Sequence, residues 1–206
     1  MKSCRRTRQR LRAGAVLVAV WGLLQPFAVA ESAAVNGAVW LGRGRVDAVD
    51  PSRGPVRLRT VLVGVSLGAR FEHLLLGGSA EVGGEFLGHD ELFLSLHGGL
   101  TTALDRSRVS VLGEVGGHSY DQMGDGILSG DFATKATLPF VGVRVVADRS
   151  WREHGQGALL GLWFGVRQDV GTAMVRDADG DKDWRVGGTS LMGGVRLGFD
   201  AAVNGG

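Results

Sequence analysis

Four aspartates within seven residues form the densest group of potential metal ligands in the chain. They are Asp177, Asp179, Asp181 and Asp183, in the segment DADGDKD. Carboxylate oxygens are ligands that Ca²⁺ prefers. An EF-hand loop, however, has glycine at position six and glutamate at position twelve, whereas this segment has Gly180 at position four and Gly188 at position twelve. The spacing favours a solvated acidic loop, and calcium binding is the alternative.

A histidine beside a serine raises the possibility of nucleophilic catalysis. His118 and Ser119 are adjacent in the segment GGHSYDQ. A catalytic serine needs a histidine base within hydrogen-bond reach. Adjacent residues of a strand point to opposite faces, so these two side chains cannot meet if the segment is extended. We therefore expect no enzymatic activity, and we expect His118 to be a buried polar group beside Glu114.

A larger set of ionisable residues stands singly at alternating positions between apolar residues. Its members are Arg70, Glu81, Glu85, His97, Glu114, Arg144, Arg167, Asp169 and Arg196. His97 with Glu81 or Glu85 suggests a metal pair, but no H-x-x-x-H or similar spacing supports a metal site. Opposite charges that share one face of a sheet are suited to pair with each other in an enclosed interior. We therefore expect a network of buried charges, without a metal or cofactor.

Alternation with a period of two residues predicts the elements that hold these charges. In VLVGVSLGARFEH, residues 61–73, the odd positions from Val61 to Phe71 are apolar and most even positions are glycine, serine or charged. The same alternation recurs at 73–87, 91–104, 107–120, 138–148, 157–170 and 189–200, with a less regular candidate at 36–48. Period-two segments without a helical period predict an all-β chain of eight antiparallel strands.

The first 30 residues have the layout of a secretory signal peptide. Six basic residues and no acid precede a short apolar run, and Ala28 and Ala30 provide a small-residue cleavage site. We predict a signal peptide at 1–30 and one domain at 31–206. Its removal changes the formal charge from +2 to −4, which argues against a nucleic-acid partner. The one cysteine, Cys4, lies in the signal, so the mature chain has no disulfide scaffold.

The apolar face of the strands can contact either a protein core or lipid. The mature chain has only two lysines, Lys135 and Lys182, although lysine is common on water-facing strands. An eight-stranded barrel is just wide enough for side chains to fill. We therefore predict a transmembrane barrel whose apolar face contacts lipid. The alternative is a soluble periplasmic barrel that binds an apolar ligand, and it requires Val63, Leu94, Val111 and Leu162 to point inward.

The signal peptide, the glycine-rich strands, the charged interior and the last strand ending GGVRLGF resemble small outer-membrane β-barrel proteins of the OmpA transmembrane-domain and OmpX type. The resemblance covers residues 36–200, although seven residues follow Phe199 where such chains usually end. It implies an up-and-down barrel in the cell outer membrane, a monomeric state and a structural or surface-interaction role. The two longest connections, 121–135 and 171–183, would then offer sites for an extracellular partner.

Some outer-membrane barrels are lipid A deacylases, which gives a second resemblance. Those enzymes carry histidine and serine two residues apart, on one face of a strand. Here His118 and Ser119 are adjacent. The deacylase resemblance therefore ranks below the non-enzymatic one.

Overall fold

The structure is a computed structural model that describes residues 33–50, 52–85, 89–122, 134–151, 157–176 and 183–202. The predicted signal peptide lies outside these residues. Within the described ranges, no helix is long and apolar enough to cross a bilayer.

Nine antiparallel strands make up the described chain. They are β1 (Ala33–Asp50), β2 (Gly54–Phe71), β3 (Leu74–Glu85), β4 (His89–Leu104), β5 (Ser107–Gln122), β6 (Thr134–Ser150), β7 (Gly157–Asp169), β8 (Ala173–Arg176) and β9 (Asp183–Ala202). Each of β1 to β6 pairs with the next strand, β7 pairs with β9, and β9 pairs back onto β1. The eight strands β1 to β7 and β9 therefore form a closed up-and-down barrel, as predicted, and residues 36–48 lie within its first strand.

Two-residue turns connect neighbouring strands at one end of the barrel. Glu72 and His73 join β2 to β3, and Asp105 and Arg106 join β4 to β5. Glu72 and Asp105 adopt positive φ angles of 47° and 54°, which tight hairpins require. The connections at 123–133 and 170–182 both join strand ends at the opposite end of the barrel. This asymmetry matches the short periplasmic turns and longer extracellular loops of outer-membrane barrels.

The predicted loop at 171–183 is partly wrong, because it contains a strand. β8 pairs with residues 183–186 at the start of β9. That stretch of β9 contacts β1 on its other edge, while β7 pairs with β9 only as far as Thr189. β8 therefore supplies hydrogen-bond partners that β7 does not reach. A register shift opposite Asp47, where Gly187 and Gly188 have φ of 106° and 150°, separates the two parts of β9.

The outer wall of the barrel carries the apolar half of the alternation. Val63, Leu94, Val111 and Leu162 are 52%, 51%, 51% and 63% exposed. The soluble alternative required these four side chains to point inward, so it is wrong. Large apolar side chains exposed on most of the barrel strands cannot be accommodated in water by a monomer. The outer wall is the lipid-contacting surface, as predicted.

The interior of the barrel is mixed rather than purely polar. Buried apolar side chains pack in the lumen beside the charged residues. They are Ala38, Trp40, Leu62, Leu75, Phe93, Leu112, Phe140, Val146, Trp163 and Met192. Because an eight-stranded barrel has a narrow bore, these side chains fill much of it.

A charge placed on the outer wall tests the lipid assignment. We expect Leu162→Arg, in the middle of β7, to lower the free energy of unfolding in lipid vesicles by about 2–4 kcal/mol, because arginine must leave water for the bilayer interior. The matched control Leu104→Arg, at the short-turn end of β4, should cost about 0–1 kcal/mol. Urea titration in vesicles measures both. Equal costs would contradict a lipid-facing wall.

Candidate functional site

The predicted charge network lies inside the barrel wherever its side chains are described. The inward-facing members are Arg70, Glu81, His97, Glu114, Arg144, Arg167, Asp169 and Arg196. The side chain of Glu85 lies outside the described part of the structure. Seven of the eight residues divide among three clusters along the barrel axis, and the eighth, His97, is buried in the lumen.

Four charged residues from four strands meet at the centre of the lumen. Glu81 of β3 and Glu114 of β5 face Arg144 of β6 and Arg167 of β7. Arg144 Nε lies 2.7 Å from Glu114 Oε1, and Arg167 Nε donates to Glu114 Oε2 at 2.8 Å. Both arginines also contact the Glu81 carboxylate. We call these residues the central cluster, and its two cations and two anions leave no net charge.

Aromatic rings enclose the central cluster. The guanidinium carbon of Arg144 lies 4.7 Å from the ring centroid of Trp40 and 5.1 Å from that of Trp163. The guanidinium carbon of Arg167 lies 4.8 Å from the ring centroid of Phe93. Each cation is therefore stabilised by ring faces as well as by carboxylates. The four charged residues are at most 4% exposed, so both kinds of contact act in a buried environment of low dielectric.

Glycines in the wall make room for these bulky side chains. A Cβ atom at Gly64 would overlap the Trp40 indole and lie 2.7 Å from Glu81 Cγ. One at Gly142 would lie 2.8 Å from Arg167 Cγ. The high glycine content, 35 of 206 residues, thus has a local cause at these positions. Large charged and aromatic side chains fit side by side in the narrow bore because the paired residue on the neighbouring strand is glycine, as at Gly64 beside Trp40 and Gly142 beside Arg167.

A second cluster lies nearer the short-turn end of the barrel. The Asp200 carboxylate accepts hydrogen bonds from Arg70 Nε at 2.9 Å and from Arg108 Nη1 at 2.8 Å. Arg108 also donates to Asp148 at 3.1 Å, and Arg196 Nε lies 3.4 Å from the same carboxylate. Alternating charges therefore link β2, β5, β6 and β9 across the lumen.

A third cluster lies toward the end that carries the longer connections. Asp169 accepts a hydrogen bond from the Tyr120 hydroxyl at 2.6 Å, and His118 Nδ1 lies 3.1 Å from its carboxylate. The His118 ring stacks on Phe93 at 3.9 Å. The expected position of His118 beside Glu114 is wrong. Four residues along one strand separate these two by about 13 Å, which is too far for contact.

Sequence reasoning did not place Arg108, Asp148, Asp200 or Tyr120 in the site. Arg108, Asp148 and Asp200 belong to the second cluster, and Tyr120 belongs to the third. All four follow the inward parity of their strands, and that parity was the available signal. Parity identifies the face of a side chain, but it does not reveal which partner lies across the lumen.

The acidic segment receives little structural support as a metal site. Asp177, Asp179 and Asp181 lie outside the described residues, and Asp183 is an exposed residue at the start of β9. Among the residues that the structure describes, no group of three or more histidine, cysteine or acidic side chains is arranged to hold a metal ion.

Comparisons with known proteins find similarity in structure rather than in sequence. No protein-family profile and no curated protein sequence matches the chain. Neisserial surface protein A (NspA) is similar in structure, with a TM-score of 0.54 and 8% identity over 81% of this chain and 97% of that one. OprG from Pseudomonas aeruginosa has a TM-score of 0.41 and 11% identity over 82% of this chain and 96% of that one. For Ail from Yersinia pestis the TM-score is 0.36 and the identity is 13%, over 78% of this chain and 97% of that one.

The likeness to NspA is one of fold, because the identity is far below the level at which function is shared. Together with the closed sheet and the exposed apolar wall, it shows an outer-membrane type of β-barrel. The chain therefore has the fold of the small outer-membrane barrels, with a lipid-facing wall and a lumen filled by paired charges.

Removal of one charge from the central cluster should be costly. We expect Arg167→Gln to lower the free energy of unfolding by about 3–5 kcal/mol, because two buried carboxylates then share one arginine. Arg57→Gln, which breaks an exposed ion pair with Asp47, should cost at most about 1 kcal/mol. The double variant Glu81→Gln/Arg167→Gln should cost less than the sum of its single variants. Additive costs in urea titrations would contradict direct coupling.

Proposed function

We propose that this chain is an exported, monomeric outer-membrane barrel without enzymatic activity, and that its role is structural or lies in surface interaction. The observation that carries the proposal is the central cluster, which spans the lumen inside a lipid-facing wall. A barrel closed in this way offers neither a wide channel nor an open ligand cavity. Its outer loops are then the parts available to a partner.

The packing of the lumen supports the absence of a solute channel. The central cluster joins β3, β5, β6 and β7, and Trp40 and Trp163 occupy space beside it. A hydrated ion would have to separate buried ion pairs, each of which is costly to break. An ion could therefore cross the lumen only if the cluster rearranged, because the described part of the barrel has no preformed pore through which it could diffuse.

The position of the longer connections supports a role at the cell surface. Segments 121–135 and 171–183 connect strand ends that lie at the same end of the barrel, where β8 and the start of β9 extend the sheet, and residues 123–133 and 177–182 of these segments lie outside the described part. NspA is named a surface protein, and it shares this fold. Loops held on a rigid barrel are a common location for binding sites. We place the contact with an extracellular partner in these two segments.

The deacylase alternative has weaker support. His118 faces the lumen and is fully buried, whereas the hydroxyl of Ser119 contacts that of Thr137 at 2.9 Å on the outer wall. The sheet separates the two side chains, so Ser119 has no access to the His118 ring. The contacts of His118 with Asp169 and Phe93 fit a buried structural residue.

Export can be tested on the mature protein. If residues 1–30 are a signal peptide, the protein isolated from the outer membrane begins at Glu31. N-terminal sequencing and intact mass measure this directly. A mature protein that retains Cys4 would contradict removal of the segment.

Conductance in planar bilayers tests the closed lumen. We expect the native protein to show no sustained openings, and Glu81→Ala/Arg167→Ala to show ion currents because the plug loses two opposite charges together with their bulk. The control Thr101→Ala/Ser110→Ala removes another buried lumen contact, a hydrogen bond of 2.9 Å, and should remain closed. Sustained native currents, or identical records for both variants, would contradict the role of the central cluster.

A further inference from the structure

Outward-facing arginines are concentrated on the first hairpin of the barrel. Arg43 and Arg45 of β1, and Arg57 and Arg59 of β2, are all exposed on the outer wall. The turn at 51–53 joins these strands at the end that carries the longer connections. We call these four residues the arginine patch.

The arginine patch begins where the apolar wall of the hairpin ends. Toward the 51–53 turn, Val39 lies opposite Val65 and Leu41 lies opposite Val63, and each of these side chains is more than half exposed. The next outward pairs are Arg43 with Val61, Arg45 with Arg59, and Asp47 with Arg57. The wall thus changes from apolar to cationic within one residue pair. A surface of this kind matches the boundary between acyl chains and headgroups.

The patch carries positive charge that the described residues around it do not balance. Arg45 and Arg59 lie directly opposite each other on neighbouring strands, and like charges in that position destabilise a sheet. Asp47 is the one carboxylate among the outward positions of residues 39–50 and 54–65. It lies 3.5 Å from Arg57. Arg185 of β9, opposite Val49, adds a further exposed cation next to the patch, and exposed Asp183 two residues earlier in β9 adds one carboxylate, so the excess of charge stays positive.

We propose that the arginine patch binds the phosphorylated headgroup of a lipid in the outer leaflet. Guanidinium groups bind phosphate oxygens through paired, charge-assisted hydrogen bonds. Acyl chains would lie along Val39, Leu41 and Val63, which are directly below the patch in the sheet. A lipid is favoured over a soluble acidic polymer because the arginines project from the side wall, adjoining the apolar surface, instead of from the loop tips.

This inference rests on the proposed outer-membrane location, but it can fail independently. In one outcome, the barrel folds in detergent and its unfolding temperature stays the same after phosphorylated lipid is added. That result would leave the proposed function intact and exclude this lipid site. A chain that does not fold into a heat-modifiable barrel would overturn both.

The test is a thermal titration of the purified, folded barrel in neutral detergent micelles. Unfolding is followed by the mobility difference between folded and unfolded protein on unheated gels. We expect diphosphoryl lipid A to raise the Tm of the native protein, and lipid A without its phosphates to have no such effect. In Arg45→Gln/Arg59→Gln the apparent affinity for diphosphoryl lipid A should be at least about tenfold weaker.

Two further variants separate charge from folding defects. Arg45→Lys/Arg59→Lys keeps the positive charge and should retain most of the Tm increase. Arg106→Gln/Arg149→Gln removes two exposed arginines at the opposite end and should behave like the native protein. Equal responses to both lipids, or an unchanged response of Arg45→Gln/Arg59→Gln, would overturn the proposal. The proposal would also be overturned if heparin raised the Tm, diphosphoryl lipid A did not, and Arg45→Gln/Arg59→Gln abolished the effect of heparin.

Discussion

Every backbone N–H and C=O group within a bilayer needs a hydrogen-bond partner in the protein, and the pairing of β1 with β9 meets that requirement here. If this seam were open, two strand edges would face hydrocarbon. Closure at eight strands also fixes the bore of the barrel, and a narrow bore determines which side chains can lie inside it. The lipid-facing wall and the filled lumen are therefore consequences of one closed sheet.

The narrow bore explains why the lumen contains paired charges together with glycines. Glu81, Glu114, Arg144 and Arg167 reach one another because their strands face across a short distance. Each buried charge would be costly alone, and the neutral cluster of four offsets much of that cost. Glycine at Gly64 leaves the volume that the Trp40 indole occupies. The same geometry that buries the cluster packs apolar side chains beside it in the lumen.

Much of the barrel could be predicted from the alternation alone, because a period of two residues assigns each side chain to a face. The strand number, the antiparallel order and the inward position of residues such as Arg144 follow from it. The partners across the lumen do not, since they depend on the stagger between strands that are distant in sequence. His118 therefore meets Asp169 rather than Glu114. β8 could not be predicted either, because its four residues are too few to show a period.

The most direct test of the account is a spin-label scan along β7, which the absence of cysteine outside the first 30 residues makes straightforward. Single cysteines would replace Leu160, Leu162, Phe164 and Val166 on the outer wall, and Leu159, Trp163 and Gly165 in the lumen. In lipid vesicles, collision rates with dissolved oxygen report contact with hydrocarbon. The account predicts high rates at the first four positions and low rates at the other three. A flat profile, or one with the opposite alternation, would contradict a lipid-facing wall.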